Sequence, residues 1–230
     1  MATEEDVSIP NPDAFYSPQQ RALQDEMQSR PLANAVVFAV VRDELDPEMA
    51  GFISSRDYFF LSTVNEDGEP TVSYKGGNVG VAHVVDNKTI VFPSYNGNGM
   101  YFSAGNISAT GKVGMLFIDM CTPHRVRVQG TAALSQNEDH MKLFPGAEFV
   151  VEVRVDKAFI NCARYIHKHE RVEATNRYVP DATGEAPLPA WKRIDLIQEA
   201  LPEADAGRVA ENGGTITEDE YKQKVMDGTS

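Results

Sequence analysis

The sequence predicts a mainly β protein with flanking helices, whose antiparallel strands curl into a barrel. Three observations carry this expectation. Between residues 57 and 130, short alternating or apolar runs are separated by turn signals such as Asn65-Glu66-Asp67-Gly68, the pattern of a meandering sheet. At 230 residues and 42% hydrophobic content, the chain can bury one substantial core. Much of the acidic excess lies in the termini, which leaves the middle of the chain to form that core.

Residues 1–16 are acidic and Pro-containing and are expected to be flexible. Ser17 reads as an N-cap with Pro18 at the first helical position, and Leu23 and Met27, four apart, supply an apolar stripe to lie on the barrel. Residues 32–41 are Ala/Val-rich and fit helix or strand. Asp46-Pro47-Glu48 starts a short helix that turns Met49, Phe52 and Ile53 inward. Residues 58–64 and 70–75 form a hairpin in which Asp67-Gly68 supplies the positive φ of a tight turn. Residues 80–85 and 89–92 form the next hairpin, across Asp86-Asn87-Lys88. A glycine-led loop from Gly97 enters a short helix reaching Ile107, with Asn98 near its start. Strands follow at 112–119 and 124–134, and in the second Val126, Val128 and Ala132 alternate with Arg125, Arg127 and Gln129. A short helix over 137–143, a strand over 148–160 and a basic–aromatic segment over 163–171 covering a barrel end come next. Residues 180–190 are Pro-rich, and 191–200 read as an amphipathic helix docking through Trp191 and Ile194. The expected organisation is a flexible N-terminus (1–16), the core domain with its helices (17–178), a linker and docking helix (179–201) and an acidic tail (202–230).

Composition narrows the function. A net charge of −13, from 34 acidic and 21 basic side chains, opposes binding to nucleic-acid backbones and anionic membranes. No apolar run approaches the ~18 residues of a membrane span, and the N-terminus lacks the basic and apolar regions of a secretory signal. Cytoplasm is the default location. Cys121 and Cys162 are too few for a disulfide framework, and Cys162 reads as a small buried apolar residue. His167-Lys168-His169-Glu170 reads as a basic loop rather than a zinc site, so no metal is expected.

Three segments are candidates for one ligand site. The first contains Ser73, Tyr74, Lys75 and Gly76, where a strand ends in a hydroxyl, a cation and glycine, allowing close approach of a flat ligand. The second contains Ser94, Tyr95, Asn96 and Asn98 ahead of a helix N-terminus, whose N–H groups suit a phosphate. The third is Arg125 in His124-Arg125-Val126-Arg127, which can bring positive charge to a phosphate or an electron-rich ring. No catalytic proton-transfer residue stands out.

The span from about Phe52 to Gly130 resembles the pyridoxamine 5′-phosphate oxidase-like, FMN-binding split-barrel family, in its flavin-nucleotide-binding branch. The residues that carry the resemblance are Phe60-Leu61-Ser62-Thr63-Val64, Asp67-Gly68-Glu69-Pro70, Val72-Ser73-Tyr74-Lys75-Gly76-Gly77, residues 92–98, Asn106-Ile107, residues 113–119 and Arg125-Val126-Arg127-Val128-Gln129-Gly130. Phe159-Ile160-Asn161-Cys162 extends it. The resemblance implies an antiparallel split β-barrel and a homodimer with FMN in grooves between subunits. Ser73, Tyr74 and Lys75 would approach the isoalloxazine and ribityl phosphate; Ser94, Tyr95, Asn96 and Asn98 would hold phosphate; Arg125 would line the groove. The family's phosphate loop carries Ser-Arg-Lys where this chain has Asn and Gly, so phosphate would be held with less charge. The expected function is that of an FMN-dependent oxidoreductase acting on a small-molecule substrate, with NAD(P)H or oxygen as co-reactant. The alternatives are a non-catalytic flavin- or haem-binding protein and a deazaflavin-dependent reductase.

Overall fold

The hairpin signal at Asp67-Gly68 is realised. In the computed structural model, which describes residues 11–172 and 176–230, β2 (Tyr58–Val64) pairs antiparallel with β3 (Pro70–Gly76), from Tyr58 opposite Gly76 to Val64 opposite Pro70. The chain divides into two units, Met1–Ala174 and Thr175–Ser230.

In the first unit the other strands are β1 (Val41–Arg42), β4 (His83–Asp86), β5 (Thr89–Tyr95), β6 (Lys112–Asp119), β7 (His124–Ser135) and β8 (Ala147–Asn161). Every pair is antiparallel, in the order β3-β2-β6-β7-β8-β5-β4, with β1 on the far half of β8. The helices are α1 (Pro12–Phe15), α2 (Pro18–Glu26), α3 (Arg30–Val40), α4 (Pro47–Ser54), α5 (Phe102–Thr110) and α6 (Glu138–Met141). Period-2 alternation sends Phe59 and Leu61 of β2, Met115 and Phe117 of β6, Val126 and Val128 of β7 and Val151, Val153 and Val155 of β8 into one core. Each fully buried side chain of this size contributes roughly 1.5–3 kcal/mol.

The sheet curls around that core. Phe59 on β2 and Phe92 on β5, with three strands between them in the order, have ring centroids 5.1 Å apart. The expected barrel nevertheless does not form: β3 and β4 end the order without pairing to each other, so the sheet is open. Two features pack beside the β2–β3 end of the sheet. After β3 the backbone bonds back to the turn between α4 and β2, with Gly77 N–H donating to Asp57 O and Gly80 N–H to Arg56 O, and Val81 and Ala82 are buried. Helix α5 lies along β2, where Asn106 Nδ2 donates to Thr63 Oγ1 and Thr110 Oγ1 to Val64 O.

At the N-terminus, the first ten residues of the expected flexible segment lie outside the described residues. Asn11 caps α1, and Ser17 and Gln20 form a full capping box on α2. The apolar stripe does not bury: Leu23 and Met27 are 59% and 68% exposed. The buried residue of α2 is Arg21, which donates to Asp13, Gln24 and Asn34 and lies over the Tyr16 ring. Its two terminal nitrogens reach acceptors on α1, α2 and α3 at once, a role that two apolar side chains cannot fill, while its Nε is buried without a hydrogen-bond partner among the described residues. Cys162 is exposed rather than buried, because it follows the last paired residue of β8. Residues 163–171 cross one end of the sheet, with His169 N–H donating to Met120 O and Arg171 forking onto Asp57.

In the second unit the expected helix over 191–200 is two 3-10 turns, Ala190–Arg193 and Asp195–Ala200, broken where Ile194 adopts extended ψ 129°. The buried positions are Ala190 and Lys192, not Trp191 and Ile194. Residues 203–226 hold the short helices α7 (Glu203–Ala206), α8 (Arg208–Glu211) and α9 (Glu218–Met226), the last with a Thr217/Glu220 capping box. Lys192 and Asp205, 3% and 4% exposed, form an ion pair of 2.7 Å beside buried Leu188, Val209 and Ile216.

Candidate functional site

Alternation along β3 separates neighbouring candidates. Ser73 lies opposite Leu61 and Lys75 opposite Phe59, so both share the core-facing side of the sheet. Tyr74 lies opposite Phe60 and Gly76 opposite Tyr58, on the outer face, where the Tyr74 and Tyr58 rings stack at 5.4 Å and 17°. A period of two makes this separation unavoidable in a regular strand.

Lys75 is half-buried, and burial pushes its ammonium pKa down. Among the described residues it has no carboxylate partner. Two residues back on the same face, about 7 Å along the strand, Ser73 Oγ lies 3.2 Å from Ser103 Oγ. Ser103 is the second residue of α5, and that helix begins without a side-chain cap, its N-cap Tyr101 standing in the left-handed region at φ 47°. The first-turn N–H groups of an uncapped helix are open donors carrying the positive end of the dipole. A cation with no counter-ion among the described residues and an uncapped nine-residue helix are thus joined through one pair of hydroxyls.

The polar segment before α5 is organised around a carboxylate. Tyr101 Oη donates to Glu148 Oε2 at 3.0 Å, and Asn96 Nδ2 to Glu148 Oε1 at 3.4 Å. The hydrogen bond to Glu148 raises the Tyr101 phenol pKa, and burial raises that of Tyr95. Asn98 Oδ1 accepts from the Met100 N–H at 3.1 Å, so Asn98 shapes the turn while the helix starts later, at Phe102. Ser94 shares the side of β5 that buries Phe92 and Ile90. Arg125 stands apart, on the outer face opposite Ile118 and Asn161. Its Nε and the Oδ1 of Asn161 are both buried without hydrogen-bond partners among the described residues.

The candidates therefore fall into three groups. Ser73, Lys75 and Ser94 line the core-facing side, Tyr74, Gly76 and Arg125 the outer face, and Tyr95 at the end of β5 leads into the loop to α5 that holds Asn96 and Asn98. Ser103, Tyr101 and Glu148 belong with the first and third groups, and sequence reasoning missed them. Ser103 could have been found as a hydroxyl in a helix first turn. Nothing local marks Glu148, which reaches the loop only because β8 pairs with β5.

A family model described as pyridoxamine 5′-phosphate oxidase matches residues 45–162. Among solved structures, the chain is similar to HupZ of Group A Streptococcus (19% identity, 55% of this chain and 99% of that one, TM-score 0.44). It is also similar to an FMN-binding protein of Syntrophomonas wolfei (18%, 62% and 94%, TM-score 0.39). A third is a Clostridium acetobutylicum protein of the pyridoxinephosphate oxidase family (14%, 50% and 85%, TM-score 0.39). No curated protein matches the chain. The family match spans half the chain and covers the sheet from α4 to the end of β8, with α5 and every strand but β1 inside it: the chain belongs to the pyridoxamine 5′-phosphate oxidase family.

Proposed function

We propose that this protein binds FMN at the core-facing end of β3 and the N-terminus of α5, and acts as an oxidoreductase on a small molecule. The observation that carries the reading is Lys75, a half-buried ammonium without a counter-ion among the described residues, beside an uncapped helix. That donor set fits an anionic cofactor: the helix N–H groups and the Ser73 and Ser103 hydroxyls would hold phosphate, and Lys75 would hold negative charge on the phosphate or on the reduced ring. Bound flavin would accept and pass on a hydride or electrons, the chemistry the protein itself lacks. The chain's own residues bind, orient and exclude water. Asn98 keeps the turn that presents the α5 N-terminus, and Tyr58, Phe60 and Tyr74 form an outer aromatic surface on β2 and β3, on which Val72 is 67% exposed. We assign that surface to a second copy of the chain, which would complete the groove and bring Arg125 into play from the outer face.

The visible spectrum of the purified protein tests the reading. Bands near ~375 and ~450 nm are expected of bound flavin, as is quenching of FMN fluorescence on titration. Colourless protein that leaves FMN fluorescence unchanged overturns it, and a Soret band would assign the site to haem instead. Stopped-flow mixing of the flavin-loaded protein with NAD(P)H then separates an enzyme, which is reduced at a useful rate, from a binder, which is not.

A further inference from the structure

On the outer face of the sheet, the register aligns Ser62 of β2, Gly114 of β6, Gln129 of β7 and Lys157 of β8 in one row. A trough of about 390 Å³ follows this row, and Lys112 and Asp156 also line it. Gly114 is its floor. The φ of Gly114 lies outside the left-handed region, and a Cβ built on it would meet its nearest neighbour, Ser62 Cβ, at 3.7 Å, an ordinary contact. Neither backbone nor packing requires glycine there, although glycine weakens a strand interior. Gly130, next to Gln129, is the opposite case: its Cβ would lie 2.5 Å from Arg154 O, so packing alone accounts for it. What glycine at 114 does is leave the row open.

Charge in the trough runs against that of the chain. Lys112 and Lys157 have no carboxylate partner among the described residues, and Lys157 Nζ only lies over the Phe15 ring at 5.3 Å. Asp156 is occupied elsewhere, accepting from Thr131 Oγ1 and pairing with Arg154, each at 3.1 Å. Arg127 is exposed on the same face, two residues from Gln129. A protein of net charge −13 thus presents a flat-floored, locally cationic recess. Screening over about 8–10 Å lets such a cluster act independently of the distant acidic field.

We infer that this trough binds a small planar anion, an aromatic ring bearing a carboxylate or phosphate. The ring lies over Gly114, the anionic group sits between Lys112 and Lys157, and the Gln129 amide and Ser62 hydroxyl read its polar edge. The site is on the face opposite Ser73 and Lys75, two residues along β2 from the aromatic surface assigned above to a second copy, and its lining shares no residue with the proposed flavin site. The test is amide NMR titration of the full chain with benzoate, phenyl phosphate, neutral benzamide and cationic benzamidinium. The expected result is saturable shifts at Gly114 and Gln129 with one or both anions, at least tenfold tighter than with benzamide, the better anion identifying the acid group. Gly114→Val should abolish them, Gly114→Ala should weaken them in a chain whose fold its Cβ does not disturb, and Lys112→Gln and Lys157→Gln should each weaken them about tenfold. Shifts that do not saturate, benzamide or benzamidinium binding as tightly as the anions, or anion binding unchanged in Gly114→Ala and Lys112→Gln, would overturn the inference.

Discussion

Ser73 on β3 and Ser103 in the first turn of α5 place their hydroxyls 3.2 Å apart, thirty residues apart in the chain. This contact ties the edge strand to the uncapped helix and sets Lys75 close to its N-terminus.

Lys75→Met should separate binding from stability. Burial lowers the lysine pKa, so the unfolded chain holds that proton more tightly than the folded one. Ligand-free stability therefore rises with pH between the folded pKa and 10.5, where the unfolded state binds more protons. At neutral pH the variant is expected to melt at higher temperature than the parent without ligand. Its FMN affinity should fall roughly tenfold, by loss of one charge-assisted contact. Thermal melts and fluorescence titration of the same samples check both; tighter FMN binding would remove Lys75 from the site.

Glu148→Gln should tighten FMN binding. The carboxylate accepts from Tyr101 and Asn96 beside the α5 entrance and opposes an incoming phosphate. Glutamine keeps an acceptor for Tyr101 and removes the charge. An improvement of about two- to fivefold, shrinking as salt is added, is expected for a solvent-exposed charge. Titrations at low and high ionic strength read it directly.

The Arg171–Asp57 fork makes a pH-dependent contribution. The Arg171 hydrogen bonds hold the Asp57 carboxyl below its ordinary 3.8, against the opposing effect of burial. A depressed carboxylate stabilises the fold above its unfolded pKa and loses that contribution as pH falls through the folded one. Asp57→Asn should therefore cost at most about 1 kcal/mol at pH 7, since Arg171 is substantially exposed. The gap should close below pH 3.8, as urea titrations across the acid limb would record.

Gly130→Ala and Gly114→Ala should differ in sign. The first drives a Cβ to 2.5 Å from a carbonyl oxygen and is expected to destabilise by about 1–3 kcal/mol. The second adds a methyl that meets only Ser62 Cβ, at an ordinary 3.7 Å, within a strand and should be neutral or stabilising by up to about 1 kcal/mol. Equilibrium denaturation of both variants distinguishes a glycine required by packing from one that is not.

In the second unit, Lys192→Met alone should strand Asp205 in an apolar setting and cost about 3–5 kcal/mol. Lys192→Met with Asp205→Leu should recover most of that loss, because the desolvation of both charges disappears together. Hydrogen exchange over residues 176–230 is the readout, and a double variant no better than the single would contradict the account.

Sequence alone determined most of the strands of the first unit and many of their inward side chains, though not β1, the helix over Arg30–Val40 or the exposure of Leu23 and Met27. Residues 58–64 and 112–119 run as strands over those same bounds, Ser17 and Asp46 cap their helices, and Val126 and Val128 are buried. Those features follow from local periodicity and turn chemistry, which a few consecutive residues specify. The motifs of residues 52–130 also placed the chain in its family. Only the tertiary structure decided whether the sheet closes: β3 and β4 end the strand order unpaired, and the backbone after β3 bonds to residues 56 and 57 instead. It also decided the site: adjacent residues Tyr74 and Lys75 part to opposite faces, while distant ones, Ser73 with Ser103 and Tyr101 with Glu148, come together. Strand register and helix docking are long-range relations, settled by burial across the whole core, and no short stretch of sequence contains them.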